Sequence, residues 1–270
     1  MAVRVESMCG IVELERPARR IVSLVPSVTE TLFHIGAQRQ IAGITKFCER
    51  PWELFTKKPH VGETMKPDLD CIRDLRPDLI LCGRDDNREE DVRELRGIAP
   101  VHVSAVDSVA QAGELIIALG VLTGHDAHAA KLAAKIPSAV KRAQKASAGY
   151  AFKRVLHLVW KEPYLAPTQG SYIYDLLVQA GLEPVAPRSG LRFAIADDEF
   201  IRAASPEAVL FPDEPHRFTY EDIGEFAARF CELPCVTHDG LYKIEGAMTS
   251  WYGYRTTLAL DYLSRVLRLE

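Results

Sequence analysis

LDCIRDLRPDLILCGRDDN (Leu69–Asn87) decides the fold, because its pattern returns as DEFIRAASPEAVLFPDEPH (Asp198–His216). Each stretch predicts a helix that ends before a Pro, then a short strand and a polar loop, since the residue before a Pro disfavours helical backbone. The two predicted strands, residues 79–82 and 208–211, are continuous apolar runs. Such runs are typical of parallel sheets that are covered on both faces.

A second pair of segments supports an internal duplication. RIVSLVPS (Arg20–Ser27) and RVLHLVWKEP (Arg154–Pro163) are apolar runs that end in loops, and each precedes a helix that stops at Gly36 or Gly181. Gly is the usual residue just beyond a helix, because it adopts the left-handed backbone that ends one. The sequence therefore predicts an α/β protein with two related lobes.

The tract between the two halves is predicted to be helical. Residues 109–122 carry apolar side chains at helical spacing, Gly124 interrupts the pattern, and residues 125–148 are rich in Ala and Lys with an interruption at Pro137. Because the tract has no Gly/Ser-rich linker, we expect one long connecting helix that Pro137 could kink. The expected domains are an N-terminal α/β lobe (1–124), the connecting helix (125–148) and a C-terminal α/β lobe (149–270).

Composition and the N-terminal sequence restrict the class of protein. The 270 residues carry a net charge of −4 with both signs mixed, which argues against a nucleic-acid or anionic-membrane surface. The six scattered cysteines fit a reducing compartment. The first residues alternate and predict a hairpin with a turn at Cys9-Gly10, without the apolar core of a secretory signal or the roughly 20 apolar residues of a membrane span. We expect a cytoplasmic protein as written, or a periplasmic one if an export signal has been removed.

The predicted strands also indicate where a ligand binds. In open parallel sheets, ligands bind beyond the carboxyl ends of the strands. If the two lobes face each other, the loops at these ends border one cleft. The loops are Pro26–Thr29, Gly83–Asn87, Trp160–Gly170 and Pro212–His216.

Over nearly its whole length, the chain resembles the helical backbone metal receptors, the substrate-binding proteins of vitamin B12 and ferric-siderophore ABC importers. The resemblance implies two Rossmann-like lobes with parallel sheets joined by a long helix, as in class III periplasmic binding proteins, with the ligand in the cleft. Within the family the chain is more similar to a branch without export signals, whose members are often labelled cobalamin-binding. The motifs that carry the resemblance are RIVSLVPSVTE (20–30), GITKFC (43–48), VGETMKPDLDCIRDLRPDLIL (61–81), PEAVLFPDEP (206–215) and SWYGYRTTLAL (250–260).

The resemblance also implies roles for individual residues. Phe47 and Phe193 fall where the exported B12 receptors carry cleft aromatics, whereas Thr64 and Gly83 replace aromatics that stack on the corrin in that group. Acidic residues that dock those receptors onto the membrane permease correspond to Asp70 and Glu199.

Residue chemistry at the predicted loops gives further candidates, each with a structural alternative. Aromatics can stack on a planar ligand or pack in the core, arginines can bind carboxylates or form surface ion pairs, and carboxylates can bind a cation or cap helices. A thiol at the site mouth can ligate a soft metal or lie buried and inert. The expected ligand-binding residues are Phe47, Cys48, Glu63, Thr64, Arg84, Asn87, Trp160, Tyr164, Phe193, Glu214, Trp251, Tyr252 and Arg255, with Asp85 and Arg192 as further candidates.

Three functions compete. The favoured function is a small-molecule binding protein for cobalamin or another metal chelate, because the sequence has no Walker loop, GxSxG, HExxH or dinucleotide fingerprint. Such a protein is expected to be a monomer and to need no cofactor. A cytoplasmic enzyme on the same scaffold would use Cys48, Glu63 and Glu214. A bare transition-metal receptor would bring His60, His157 and His216 together.

Overall fold

The computed structural model describes residues 2–267, which divide into two compact units. Unit 1 comprises the residues up to Val106, Ala110–Lys135 and the short segment Tyr252–Tyr254. Unit 2 comprises Asp107–Val109, Ile136–Trp251 and the residues from Arg255 onward.

Unit 1 is built on a four-stranded parallel sheet, covered by helices and edged by a small hairpin. In chain order its elements are β1 (Val3–Ser7), β2 (Gly10–Leu14), β3 (Ile21–Ser23), α1 (Pro26–His34), β4 (Ile41–Ile44), α2 (Trp52–Phe55), β5 (Gly62–Glu63), β6 (Lys66–Pro67), α3 (Leu69–Asp74), β7 (Leu79–Gly83), α4 (Glu89–Leu95), β8 (Val101–Ser104), α5 (Val109–Thr123) and α6 (Asp126–Ala133).

The strand order of this sheet is β4-β3-β7-β8, and every neighbouring pair is parallel. All residues of β3, β7 and β8 are buried, as expected for the inner strands of a covered parallel sheet, and they include the polar residues Ser23, His102 and Ser104. The predicted N-terminal hairpin is confirmed as β1 and β2, which pair antiparallel. It covers the edge at β8, where the Met8 N–H donates to the Val103 carbonyl at 3.1 Å.

Unit 2 contains the second four-stranded sheet. Its elements are α7 (Ile136–Ala146), a single 3₁₀ turn (Ser147–Gly149), β9 (Arg154–His157), β10 (Leu165–Pro167), α8 (Tyr172–Gln179), β11 (Glu183–Pro184), β12 (Phe193–Ile195), α9 (Asp198–Ala204), β13 (Ala208–Pro212), α10 (Tyr220–Arg229), α11 (Pro234–Thr237), β14 (Leu241–Ile244), α12 (Ala247–Ser250) and α13 (Arg255–Val266).

Both sheets are wound in the same way. The order in unit 2 is β11-β9-β13-β14, again all parallel. If the strands of each sheet are numbered along the chain, both orders are 2-1-3-4. The predicted α/β fold with two related, parallel-sheet lobes is confirmed.

The helix predicted over residues 125–148 is two helices and a 3₁₀ turn. Gly124 (φ +72°) ends α5, and α6 ends at Ala133. Pro137 is the second residue of α7. A proline lacks the N–H that would continue α6 and its ring clashes with the preceding turn, so Pro137 starts a new helix instead of kinking one.

Candidate functional site

The winding of each sheet singles out one place at its carboxyl edge. In a 2-1-3-4 sheet the connections after strands 1 and 3 run in opposite directions and leave a crevice there, which is where open α/β sheets bind ligands. In unit 1 these strands are β3 and β7, and in unit 2 they are β9 and β13. The four predicted segments all follow these strands, although Pro26–Thr29 is the first turn of α1 and not a loop.

Phe47 presents an aromatic surface at the carboxyl edge of unit 1. It follows β4 and its side chain is 44% exposed. The Lys46 ammonium lies 5.4 Å from the centroid of the Phe47 ring and 2.5 Å from the Glu63 carboxylate. Lys46 lowers the pKa of Glu63 by hydrogen bonding to it. Phe47 and Glu63 are therefore grouped at an accessible surface, next to half-buried Thr64.

The loop after β7 is held by Asn87. Its side-chain oxygen accepts a hydrogen bond from the Gly83 N–H at 2.9 Å, and its amide nitrogen donates to the Thr64 carbonyl at 2.6 Å. Asn87 is buried, and these bonds tie together two backbone segments. The geometry thus gives Asn87 a role in shaping the loop, while Arg84 stays half-buried beside Asp85.

Asp86, which the sequence did not single out, lies at the centre of a polar cluster in unit 1 whose members are buried or half-buried. Its carboxyl is hydrogen-bonded to the Tyr252 hydroxyl, and that hydroxyl lies 3.1 Å from the Ser104 hydroxyl. A Cβ on Gly83 would lie 2.2 Å from the Asp86 carboxylate. The Asp86 side chain can therefore lie this close to the backbone only because residue 83 is a glycine. Burial raises the pKa of Asp86 to about 6. The adjacent glycine was the one local signal that could have identified Asp86.

Tyr252–Tyr254 form a strap, the short segment that belongs to unit 1 although its flanking residues belong to unit 2. Gly253 (φ +82°) packs its Cα against Thr31, and the Tyr254 N–H donates to the Thr31 hydroxyl at 3.0 Å. The Tyr254 ring stacks on His34 at 3.4 Å between centroids. Tyr252 therefore directs its hydroxyl into the protein, which leaves its ring as the part that could meet a ligand.

In unit 2 the largest accessible aromatic at the carboxyl edge is Trp160, which follows β9 and is 45% exposed. Its ring contacts His216, from the loop after β13, edge to face at 5.4 Å. Phe193 is half-buried in β12 and pairs with Pro167 of β10. Unit 2 thus offers two candidate aromatics from different segments, Trp160 in the loop after β9 and Phe193 in β12.

Tyr164 is a core residue. It is buried and packs edge to face on Phe226 at 5.8 Å, within the cluster that also contains Phe211. The expectation that Tyr164 meets a ligand is not supported, because its ring is used in packing.

Arg255, expected to bind a ligand, is buried instead. Its side chain is 5% exposed and lies 3.5 Å from the Glu245 carboxylate, with the guanidinium 5.1 Å from the centroid of the Trp251 ring. A buried guanidinium with a carboxylate partner stabilises the local packing. Trp251 is half-buried beside it, and Glu214 accepts a hydrogen bond from Ser250 at 3.4 Å.

Cys48 is buried and does not open onto solvent. Its sulfur lies 3.2 Å from each of the hydroxyls of Thr29 and Thr45. Burial raises the pKa of Cys48, so the reactive thiolate is disfavoured. The expectation of a thiol at the mouth of the site is wrong, because the chain packs Cys48 under α1.

Each candidate histidine contacts other residues of its own unit. His60 contacts the Phe55 carbonyl at 2.9 Å in unit 1. In unit 2, His157 is buried against Thr249, and burial lowers its pKa to about 3. No group of three or more His, Cys, Asp or Glu that could hold a metal ion occurs within residues 2–267. The hypothesis of a bare transition-metal receptor therefore gains no support from either unit.

Asp70 and Glu199 occupy matching positions in the two units. Each lies in the first turn of a helix that leads into strand 3 of its sheet, α3 and α9, and each is exposed. Asp70 is 92% exposed and forms an ion pair with Arg73. Their accessibility is compatible with contact to a partner, and that role stays a prediction.

Comparison with known proteins gives consistent matches. The model of a family described as periplasmic binding protein matches residues 21–230. The vitamin B12-binding protein of Salmonella paratyphi A is 27% identical over 195 residues, which are 72% of this chain and 72% of that protein.

Two solved structures cover most of the chain. The periplasmic vitamin B12 binding protein BtuF of Vibrio cholerae has a TM-score of 0.79 at 18% identity, and covers 93% of this chain and 97% of its own. The periplasmic heme-binding protein RhuT from Roseiflexus sp. RS-1, in apo form, has a TM-score of 0.78 at 20% identity, covering 93% and 98%. At these identities the likeness shows the fold. In residues 2–267, no helix has both the length and the apolar character of a membrane span.

Cysteine alkylation tests the placement of Cys48. Exposed Cys9 and Cys231 should react readily with a maleimide in the native protein, whereas Cys48 should react only after unfolding. Peptide mass spectrometry reads the modified positions. Rapid modification of native Cys48 would contradict the placement and favour the enzyme hypothesis.

Replacing Arg255 tests whether it is structural. Arg255→Ala should lower the free energy of unfolding by about 2–4 kcal/mol, because it leaves the Glu245 carboxylate without this partner. Arg73→Ala, which removes an exposed pair, is the matched control and should change it by less than about 0.5 kcal/mol. Urea denaturation measures both. Equal stability of Arg255→Ala and the wild type would refute the structural role.

Proposed function

Because the chain belongs to the periplasmic binding protein family, we propose that it binds a small planar ligand, a corrinoid or another metal chelate. The relatives support this ligand class, since they are named for vitamin B12 and one solved structure is named for heme. We further propose that the chain serves as the substrate-binding protein of an ABC importer.

One structural observation carries the proposal: each unit exposes a large aromatic side chain at the carboxyl edge of its sheet. Phe47 and Trp160 keep 44% and 45% of their surface exposed, although apolar rings of this size gain free energy from burial. A planar ligand covers such rings by stacking. An edge that served only packing would cover them with protein.

The polar groups around these rings suit a chelate with peripheral amides or carboxylates. Lys46 and Glu63 stand beside Phe47, and Arg84 follows β7. In unit 2, Phe193, Glu214 and Trp251 lie on segments near the carboxyl edge. A few polar groups placed around apolar surface are typical of small-molecule sites. We propose Phe47, Glu63, Thr64, Arg84, Trp160, Phe193, Glu214, Trp251 and the Tyr252 ring as ligand contacts.

We propose a binding role without catalysis. The enzyme hypothesis relied on Cys48 as a nucleophile, and burial keeps that thiol protonated and away from solvent. The proposed function needs no resident cofactor, because the chelate is the cargo.

The proposed partner is an ABC permease, contacted through Asp70 and Glu199 by a chain that acts as a monomer. The matching positions of the two carboxylates at the starts of α3 and α9 support a pair of docking points. The cytoplasmic location expected from the sequence stays a prediction, and the family's name favours the periplasm instead. Cell fractionation followed by immunoblotting distinguishes the two compartments.

Titration with cyanocobalamin, cobinamide and hemin tests the ligand class. At least one of them should bind with a dissociation constant in the micromolar range or below, and Phe47→Ala or Trp160→Ala should each weaken binding about tenfold, the loss of roughly 1.4 kcal/mol of stacking. Ligand absorbance and isothermal calorimetry report the affinity.

Trp52→Ala is the matched control, because Trp52 is a 65% exposed aromatic that lies within α2, whereas Phe47 and Trp160 lie in the loops directly after strands. It should leave the affinity unchanged. If none of the three chelates binds, the proposed ligand class is wrong. If all three variants weaken binding equally, the proposed site is wrong.

Charge reversal tests the docking role. Asp70→Lys together with Glu199→Lys should abolish ligand-stimulated ATP hydrolysis by the cognate permease in proteoliposomes while leaving ligand affinity unchanged, because like charges then oppose the partner. Glu221→Lys, an exposed acid in the first turn of α10, is the control and should retain stimulation. Normal stimulation by the double variant would refute the docking role.

A further inference from the structure

Asp86, which is half-buried, anchors the strap in unit 1. Its carboxylate approaches the Gly83 Cα so closely that no side chain fits there, and on its other side it bonds the Tyr252 hydroxyl. The same hydroxyl is hydrogen-bonded to Ser27 and lies 3.1 Å from the Ser104 hydroxyl. Ser104 in turn donates to the Cys82 carbonyl at 3.1 Å. The cluster thus connects the strap to β7, β8 and α1.

The remaining anchors of the strap lie on α1. They are the Tyr254 N–H bond to buried Thr31 and the stacking of Tyr254 on exposed His34. A single hydrogen bond contributes about 0.5–1.5 kcal/mol net. The attachment through Asp86 and Tyr252 joins the strap to three elements, so its loss most frees the strap.

Asp86 is the member of the cluster that titrates near neutral pH. The titratable or charged groups around it and around Tyr252 are Tyr252 itself, Cys48 behind α1, Cys82 in β7, and Arg84, which faces Tyr252. Burial raises the pKa values of Tyr252, Cys48 and Cys82, so these groups stay neutral from pH 5 to pH 8.

We propose that Asp86 is a proton-sensitive positioning residue: protonated, it holds Tyr252 and the strap in place, and ionised, it releases them more often. The neutral carboxyl and the phenol satisfy each other without buried charge. Ionisation places a carboxylate in the cluster, and opening of the strap lets water solvate it. The consequence for ligand affinity rests on the proposed function, since the Tyr252 ring is a proposed ligand contact.

The direction follows from the two pKa values. With the strap closed the pKa of Asp86 is about 6, raised by burial, against an ordinary value of 3.8 when open. Between these values the closed state binds more protons, so raising the pH favours opening, and the effect levels off above pH 6. Linkage then predicts that the equilibrium constant for opening of the strap is about tenfold larger near pH 7.5 than near pH 5.

Hydrogen exchange of the peptide spanning residues 250–256 tests the proposal without a ligand. After correction for intrinsic exchange, the wild type should open about tenfold more at about pH 7.5 than at about pH 5, and Asp86→Asn should show less than about a twofold change. Glu89→Gln, an exposed acid on α4, is the control and should follow the wild type. An unchanged pH dependence in Asp86→Asn would overturn the proposal.

Tyr252→Phe keeps the test open if Asp86→Asn fails to fold. Loss of the hydroxyl should raise exchange of the same peptide near pH 5, where the wild-type strap is closed. Exchange equal to the wild type at that pH would contradict the role of the anchor.

Titrations with cyanocobalamin and hemin at both pH values test whether Asp86 also makes ligand affinity depend on pH. Affinity should fall with rising pH in the wild type and stay flat in Asp86→Asn. If neither chelate binds while the exchange data behave as expected, the ligand class fails and the role of Asp86 stands. If a chelate binds with the same pH profile in both proteins, the proposed role of Asp86 in affinity is wrong.

Discussion

The structure depends on one constraint. Both faces of each parallel sheet are covered, so the side chains available to bind a ligand lie at the ends of the strands. Every residue of β7 and of β13 is buried, so side chains on these strands serve packing. The 2-1-3-4 winding then selects the carboxyl edge between strands 1 and 3, where consecutive connections part. Trp160 and the loop of Asp86 follow strands 1 and 3 of their sheets, and Phe47 follows the carboxyl end of the neighbouring strand β4. Fold and site are therefore consequences of the same strand order.

Much of the fold could be predicted because its signals are local. Gly36 and Gly181 end the helices as expected, with φ of +94° and +84°, and the apolar runs before Gly83 and Pro212 form the predicted strands. The connecting tract was mispredicted at Pro137. An Ala- and Lys-rich sequence favours helix on either side of a proline, and this composition does not distinguish a kink from a new start.

The candidate site was harder to predict, because burial is set by residues distant in sequence. Tyr164 stands in a loop, yet its ring packs on Phe226. Arg255 follows an aromatic loop, yet it is enclosed with Glu245. Asp86 is one of two adjacent aspartates, and only the backbone of the loop turns it inward while Asp85 faces outward. Trp160 was predicted from the end of its strand, whereas Phe47 lies outside the four predicted loops and was predicted from the family resemblance.

The most direct measurement of the central claim is a hydrogen-exchange footprint of the complex with cyanocobalamin, with hemin measured in parallel. The account predicts that bound chelate protects peptides at the carboxyl edges, residues 45–48, 83–87 and 160–164, and leaves the amino ends of the same strands, residues 17–21 and 151–154, unchanged. Protection confined to the amino ends of the strands would contradict it.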